Sequence, residues 1–460
     1  MSATDNPASP ASNDLPPDVV AGLNSFDAGE RQRALAKAAD ELQSGRRSPP
    51  EPNGSVNVHA HTFYSFSSRE LSPYGLTWEA RRRGLTIIGS TDFDVLDAME
   101  EMFTAGETLS MPTTASLEAR TYVDAYAEWE INSPGEPGVM YAMGAGFVRK
   151  PAPDSWAGEL FASLAAQSRR RNIEMVAKVN PVVGPAAIEY DRDVLTLTPS
   201  GNATERHLCA AYDEKARKAF PDQNELAVFW GGVLGIPGEK AFALLADSGA
   251  LRNAIRARLM KKGGVGYAQP GPETFPKIED FFKMIADARA LPCLTWLDGL
   301  SFGECDPGRL LDDALNWGAR TVNIIPDRNW NLVDSEAKKT KLTAMDAFIR
   351  EARRRNLPVL VGTEMNSPGQ KFVDSFDAQE LAPYVGDFRD GAFFLYGHTA
   401  LERLAGIGAA SDWAATKFAG DWIGANAFYT EAGRRMPPGY MRTVTVPDGA
   451  SPEDVLSSLA

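Results

Sequence analysis

Helices and strands alternate along the last third of the chain, and this alternation limits the possible folds more than any other feature. The pattern predicts helices over 276–290, 307–319 and 334–356, and strands over 291–299 (LPCLTWLDG), 320–329 (RTVNIIPDRN) and 357–366 (LPVLVGTEMN). Each strand begins as a nearly continuous apolar run, which indicates parallel strands covered by helices on both faces. The sequence therefore predicts an α/β fold, either a barrel or a doubly wound sheet.

The same alternation begins earlier, after a proline-rich joint, SPPEPNG (48–54). The expected elements, in chain order, are a strand over 55–62 (SVNVHAHT), a helix over 72–84, a strand over 85–94 (LTIIGSTDFD), a helix over 95–107 and an extended segment over 120–132 (RTYVDAYAEWEIN). Apolar residues recur at helical spacing in the helices and run continuously in the strands. The strand–helix alternation is thus present on both sides of a less regular middle segment of the chain.

These patterns divide the chain into four parts. We expect a disordered N-terminus over 1–22, a helix and linker over 23–50, an α/β domain over 51–400, and a helical packing segment with a tail over 401–460. Within the α/β domain, residues 150–275 combine helical segments with glycine and proline breaks, which predicts a helical insertion.

Charge and composition exclude several kinds of partner. The net charge of −14 argues against broad contact with nucleic acid or an anionic membrane, because both need clustered cations. No apolar run is long enough to span a membrane. Three widely spaced cysteines and the polar, proline-rich first residues indicate the cytoplasm. We therefore expect a small-molecule partner; the sequence carries no signal for an oligomeric state.

Two of the four histidines, His59 and His61, stand at the end of the first predicted strand. Residues two apart in a strand point the same way, so both imidazoles should project together where the strand becomes a loop. Such a pair either binds a metal or forms a hydrogen-bonded polar edge.

Carboxylates follow several of the other predicted strands. They are Asp92 and Asp94, Glu128 and Glu130, Asp298, Asp327, and Glu364, which stands beside Asn366. In parallel α/β folds the loops after the strand ends form the functional face, so these side chains should meet at one rim. Imidazole and carboxylate together suit Zn²⁺, Mn²⁺ or Fe, although any one of these acids could instead cap a helix.

Four further assignments concern catalysis and substrate. Asp92 is the candidate general base. Arg328 could hold an anionic substrate through two parallel hydrogen bonds, and the adjacent Asp327 is assigned to the same substrate site. His398 follows an apolar run and is a candidate substrate contact, with packing at a helix N-terminus as the alternative.

Several blocks of the sequence resemble the PHP family, the polymerase and histidinol phosphatase domain of metal-dependent phosphoesterases. They are VHAHTFYS (58–65), ARRRGLTIIGSTDFDVLDAM (80–99), AEWEINSPG (127–135) and LPVLVGTEMNSPG (357–369). The resemblance implies a distorted (β/α)7-type TIM-like barrel with a cluster of metal ions at its mouth.

The resemblance also implies a ligand set. Its members would be His59, His61, Glu130 and Glu364, with Asn366 and Asp298 in support. Phe93 and Tyr141 stand where the family has histidines. Neither side chain can replace imidazole as a ligand, which favours one or two divalent ions, Mn, Zn or Fe, over three.

Three functions fit these features. The first is a metal-dependent hydrolase, in particular a phosphoesterase that attacks a small anionic substrate with a metal-activated water. The second is a catalytically degenerate barrel that serves as a binding or regulatory protein. The third is hydrolysis of a C–N or C–O bond of the amidohydrolase type, whose barrels also begin with His-x-His.

Overall fold

The structure is a computed structural model that describes residues 14–447 and 449–459. Seven strands form a single sheet in chain order. They are β1 (Val56–Ala60), β2 (Ile87–Phe93), β3 (Thr113–Tyr122), β4 (Val139–Ala145), β5 (Leu291–Trp296), β6 (Thr321–Ile324) and β7 (Val359–Val361). The strands are almost entirely buried, as their apolar runs predict.

The sheet curls until its two edges meet. An isolated parallel bridge joins Ala60, at the end of β1, to Glu364, just beyond β7. The His61 amide donates to the Glu364 carbonyl at 2.7 Å, and the Glu364 amide donates to the His59 carbonyl at 2.9 Å. The chain is therefore an α/β protein built on a nearly closed seven-stranded barrel.

The barrel departs from a regular (β/α)7 arrangement at β4. This strand runs antiparallel to both β3 and β5, whereas the other neighbouring strands are parallel. β3 and β4 form a hairpin in which Tyr122 pairs with Val139. The extended segment predicted over 120–132 accordingly ends at Tyr122, because the chain turns there to form the hairpin loop.

Helices cover the outside of the barrel. They are α3 (Pro73–Arg82), α4 (Met99–Leu109), α10 (Ile278–Asp287), α11 (Pro307–Trp317), α12 (Asp327–Trp330) and α13 (Ser335–Arg354). Local sequence sets their limits: the Ser72 and Asp306 side chains cap α3 and α11, and Gly318 ends α11 with φ 106°. These capping residues can be recognised in the sequence, which explains why helices were predicted well in this part of the chain.

The N-terminal segment packs on the barrel helices through α1 (Pro17–Leu23) and α2 (Ala28–Gln43). Residues 1–13 of the segment expected to be disordered lie outside the described residues. Over 17–22 the structure has a helix instead, because Val19 and Leu23 are buried against α3 and α4. Arg31 of α2 is also buried and forms an ion pair with Glu101 of α4.

Between β4 and β5 the chain forms five helices with a hydrophobic core of their own. They are α5 (Trp156–Val183), α6 (Glu205–Ala219), α7 (Gln223–Leu234), α8 (Gly238–Leu244) and α9 (Ser248–Leu259). The described C-terminal residues form α14 (Val385–Ala405), α15 (Asp412–Phe418), α16 (Trp422–Arg435), α17 (Tyr440–Thr443) and α18 (Pro452–Ser458). No helix in the described part of the chain is long and apolar enough to cross a membrane.

Candidate metal centre

His59, His61 and Glu118 meet inside the barrel mouth. One ligand atom from each residue lies within 4.8 Å of the other two, and all three side chains are buried. The Glu118 Oε2 atom is 3.7 Å from His59 Nε2 and 3.4 Å from His61 Nε2. Donor atoms about 2.1 Å from one ion, at tetrahedral angles, lie roughly 3.4 Å apart, so the spacing suits a divalent ion.

Neither Nε2 atom has a hydrogen-bond partner among the described residues, although both are buried. Buried polar atoms are normally paired, and an unpaired one calls for a physical explanation. A metal ion between the imidazoles and the carboxylate would satisfy both atoms. This buried group therefore suggests a divalent metal.

Hydrogen bonds at the other ring nitrogens hold both imidazoles in the form that a metal needs. His59 Nδ1 lies 2.9 Å from Asn323 Oδ1, an atom that can only accept, so Nδ1 carries the proton. Ser65 donates its hydroxyl proton to Asp92 at 2.7 Å and must therefore accept from His61 Nδ1, 3.1 Å away. Both rings thus direct an Nε2 lone pair at Glu118.

The charges within the group stabilise one another. Burial is the largest single influence on the pKa of His59 and would lower it, but the charge and hydrogen bonding of Glu118, with smaller contributions from Glu364 and Asn323, together raise that pKa. Burial alone would raise the pKa of Glu118, but the imidazoles, His59 foremost, lower it. Glu118 is accordingly a carboxylate at neutral pH, which is the form that binds metal.

Glu364 lies beside this group but is held by Arg328. The Arg328 Nη2 atom is 2.6 Å from Glu364 Oε2, and Gln370 donates to the same oxygen at 3.1 Å. Glu364 and Met365 both have φ near 59°, a conformation that non-glycine residues rarely adopt and that functional sites often retain. Glu364 therefore orients Arg328 at the barrel mouth.

A cavity of about 670 Å³ opens above the metal group. Of the residues expected from the sequence, Glu364, Asn366 and Arg328 line it. It lies at the strand ends, as expected for a parallel α/β barrel.

Five expected site residues lie elsewhere in the fold. Glu130 lies in the β3–β4 loop and does not belong to the metal group. Asp298 forms an ion pair with Lys341 at 3.0 Å, and Asp327 forms one with Lys371 at 2.9 Å. None of these three carboxylates lines the cavity. The other two residues are Asp92 and His398.

Asp92 lies behind His61, away from the cavity. Its carboxylate accepts hydrogen bonds from the Thr62 amide at 2.8 Å, the Thr62 hydroxyl at 2.7 Å and the Ser65 hydroxyl at 2.7 Å. All of these groups are buried, so the predicted role as general base has no route to a substrate. The structure instead makes Asp92 a positioning residue for His61.

His398 is part of the core of the C-terminal helices. Its Nε2–H donates to the Gly146 carbonyl at 3.1 Å, and its Nδ1 accepts from the Ala409 amide at 2.9 Å. Both ring nitrogens are used within the protein, which favours packing over the predicted substrate contact. The alternative placed His398 at a helix N-terminus, whereas it lies in the interior of α14.

His398 should make folding stability depend on pH. Burial, with a smaller effect from Arg149, lowers its pKa from 6.5 to about 4. The neutral ring is favoured in the folded state, so the stabilisation is complete above pH 6.5 and declines as the pH falls towards 4. The test is the loss in free energy of unfolding, measured in urea, when the pH is lowered from 7 to 5. We expect this loss to be about 2 kcal/mol smaller in His398→Gln than in the wild type. Equal losses in the two proteins would contradict this assignment.

Gly362 leaves room for His59 at the mouth of the barrel. A Cβ atom there would lie 2.6 Å from both the His59 amide nitrogen and the His59 Cβ, and 2.5 Å from Asn57 Oδ1. Gly362→Ala should therefore cost about 1–3 kcal/mol in urea unfolding and weaken metal binding, because the backbone of His59 must shift. Gly386→Ala is the control, since nothing lies near a Cβ there. Equal metal affinity in both variants would show that His59 tolerates the displacement.

Phe93 and Tyr141 occupy the rest of the barrel mouth. The Phe93 ring stacks on His61 with centroids 4.4 Å apart, and its centroid lies 6.0 Å from that of Tyr141. Phe93 thus holds the His61 ring from the side, and it offers no ligand atom. That these two residues reduce the number of ions stays a prediction.

Comparisons with known proteins leave the family open. No family model matches the chain, and no curated protein matches it. An amidohydrolase from Chromobacterium violaceum, solved with bound sulfate and no metal, is 15% identical, with a TM-score of 0.46 over 68% of this chain and 88% of that one. A protein from Bifidobacterium adolescentis, named as a candidate metal-dependent phosphoesterase, is 17% identical, with a TM-score of 0.44 over 74% of this chain and 98% of that one. At these values the likeness carries no argument about activity.

Proposed function

We propose that this protein is a metal-dependent phosphoesterase that hydrolyses a small anionic substrate at the mouth of the barrel. The observation that carries the proposal is the convergence of two partnerless Nε2 atoms on the Glu118 carboxylate. This donor set binds Zn²⁺, Mn²⁺ or Fe. One ion fits these three residues, and a second would need ligands that lie outside the group.

The resemblance to the PHP family supports the choice of phosphoesters. The His-x-His at 59–61 and the block around Asp92 match two motifs of that family in series. In this proposal Glu118 takes the role that the motif pattern assigned to Glu130. The changes at Phe93 and Tyr141 set the chain apart from members with three ions.

The chain's own residues have separate roles in the proposed hydrolysis. A bound divalent ion would supply an activated water and Lewis-acid polarisation of a phosphoryl oxygen. Arg328 lines the cavity with a side chain that is 41% exposed, and its ion pair with Glu364 fixes the guanidinium for an anionic oxygen. Asp92, through Ser65, keeps His61 in the required tautomer.

A different carboxylate must accept the proton, because Asp92 is enclosed. Asp94 lines the cavity, and its amide donates to the Glu118 carbonyl at 2.9 Å. We assign the proton-accepting role to Asp94 on this placement. A base must come within hydrogen-bond reach of the attacking water, and of the two aspartates only Asp94 faces the cavity in which that water would lie.

The test is metal analysis combined with a hydrolysis assay. The purified protein should contain about one equivalent of Mn, Zn or Fe per chain, and it should hydrolyse p-nitrophenyl phosphate when Mn²⁺ is added. Chelation should remove the activity, and the metal should restore it. Retained metal without phosphoester hydrolysis would support the binding or regulatory alternative, and hydrolysis of amides alone would support the amidohydrolase type.

A further inference from the structure

The helical insertion contributes a cationic wall to the cavity above the metal group. Six of its basic residues line the cavity: Arg171 and Lys178 of α5, Arg206 of α6, Arg256 of α9, and Lys261 and Lys262 just beyond α9. The whole chain has a net charge of −14, so a cationic surface here is a local feature and not a consequence of composition.

Arg171 is held in place without a close ion pair. Its guanidinium lies over the Phe275 ring at 4.6 Å, and the Arg120 guanidinium lies over the same ring at 4.5 Å. Arg120 has Glu136 at 3.4 Å, whereas the Arg171 guanidinium makes no hydrogen bond or ion pair with any described residue. Burial, and then the charge of Arg120, lower the pKa of Arg171 to about 10, although the negative charges of Asp94 and Glu205 oppose this shift. Its positive charge is therefore retained at neutral pH and only partly compensated.

Arg206 has a similar environment. It lies over the Phe66 ring at 5.7 Å, and its hydrogen bond goes to the neutral Asn253 side chain at 3.0 Å. Burial, and then the charge of Arg256, lower its pKa to about 10. Arg206 forms no ion pair with a described carboxylate, although the charges of Glu205 and Glu364 act on it from a greater distance.

Arg256 and Lys261 share a single acid. Glu205 lies 2.8 Å from Arg256 and 2.9 Å from Lys261. On the cavity wall the six cations of the insertion outnumber its two acids, Glu174 and Glu205. Like charges gathered on one wall repel one another, and an anion between them would relieve that repulsion.

We infer that the insertion binds a second anionic group of the substrate, a phosphate or a carboxylate, at Arg171 and Arg206. The inference rests on the proposed function for the group bound at Arg328 and the metal residues. Stacked guanidiniums suit this task, because their planar forks are already oriented for two oxygen atoms. The substrate class is therefore a phosphoester with a further anionic group, selected by the insertion.

The direct test measures binding of inorganic phosphate to the metal-free, full-length protein by calorimetry. Arg171→Gln and Arg206→Gln should each weaken binding about tenfold or more, the usual loss for a charge-assisted hydrogen bond. Arg170→Gln is the matched control, since Arg170 adjoins Arg171 in α5 but is exposed. Absence of phosphate binding by the wild type, or equal affinities in all four proteins, would overturn the inference.

A second measurement separates this site from the hydrolytic machinery. Arg328→Gln removes the cation assigned to the reacting phosphoryl group, and the metal-free variant should bind inorganic phosphate as tightly as the wild type if that phosphate lies at Arg171 and Arg206. A loss in Arg328→Gln as large as that in Arg171→Gln would place the phosphate at the barrel mouth and overturn the assignment. If the wild type hydrolyses no phosphoester, the proposed function fails, while the phosphate-binding comparison still decides whether the insertion holds an anion.

Discussion

Replacing Glu118 with glutamine should abolish tight metal binding, with a loss of at least about 100-fold in affinity, since the site is left with two neutral imidazoles. The glutamine side chain has nearly the same shape, so it removes the negative charge without creating a cavity. It also leaves the two Nε2 atoms beside a neutral amide in a buried position. Metal content by elemental analysis and Zn²⁺ or Mn²⁺ binding to chelated protein by calorimetry measure the effect.

Glu130→Gln is the control for this experiment. The sequence motif alone favours Glu130 as the ligand, whereas the structure places it in a loop and Glu118 at the imidazoles. We expect Glu130→Gln to retain wild-type metal affinity. The reverse result, with metal lost from Glu130→Gln and kept by Glu118→Gln, would show that the barrel mouth is arranged differently.

The sequence predicted an α/β fold because each strand is itself apolar, and the family resemblance favoured a barrel over a doubly wound sheet. The segments around Val56, Leu294 and Val359 are buried on both faces, and their apolar runs show this without knowledge of their neighbours. The paired imidazoles were likewise visible, since alternation along one strand fixes the side to which His59 and His61 point.

Glu118 was missed because the limits of its strand were misjudged. The extended segment was predicted to begin at Arg120, whereas β3 begins at Thr113 and ends at Tyr122. One local signal was present: Glu118 stands between Leu117 and Ala119, both fully buried. A buried carboxylate within an apolar strand needs a cation or a hydrogen-bond donor as its partner. Such a residue should therefore be considered first as a metal ligand.

Partners distant in sequence could not be predicted from local patterns. Arg328 and Glu364 form one ion pair although 36 residues separate them, and His59 meets Asn323 across 264 residues. Asp92 and Asp298 both follow apolar runs, yet only Asp92 adjoins a ligand. Strand ends show which residues reach the rim, but closure of the barrel decides which of them touch.

Asp92→Ala should weaken metal binding about 10- to 100-fold, the range found when a residue that orients a metal ligand is lost. Without the carboxylate, the Ser65 hydroxyl can turn and donate to His61 Nδ1, and His61 would then carry its proton on the nitrogen that faces Glu118. The Thr62 amide would also lose its acceptor, so we expect roughly 3 kcal/mol less stability in urea unfolding. Calorimetric titration of chelated protein with Zn²⁺ measures the first effect independently of the second.

The conservative variant Asp92→Asn distinguishes orientation from general loosening of the fold. Its oxygen can still accept from the Thr62 amide and the Ser65 hydroxyl, which both donate to the same aspartate oxygen in the wild type. Its amide can donate to the Thr62 hydroxyl, which is able to accept. The His61 tautomer should therefore be kept, and metal affinity should stay close to that of the wild type. Wild-type affinity in Asp92→Ala as well would mean that His61 needs no support from behind, and the positioning role would have to be abandoned.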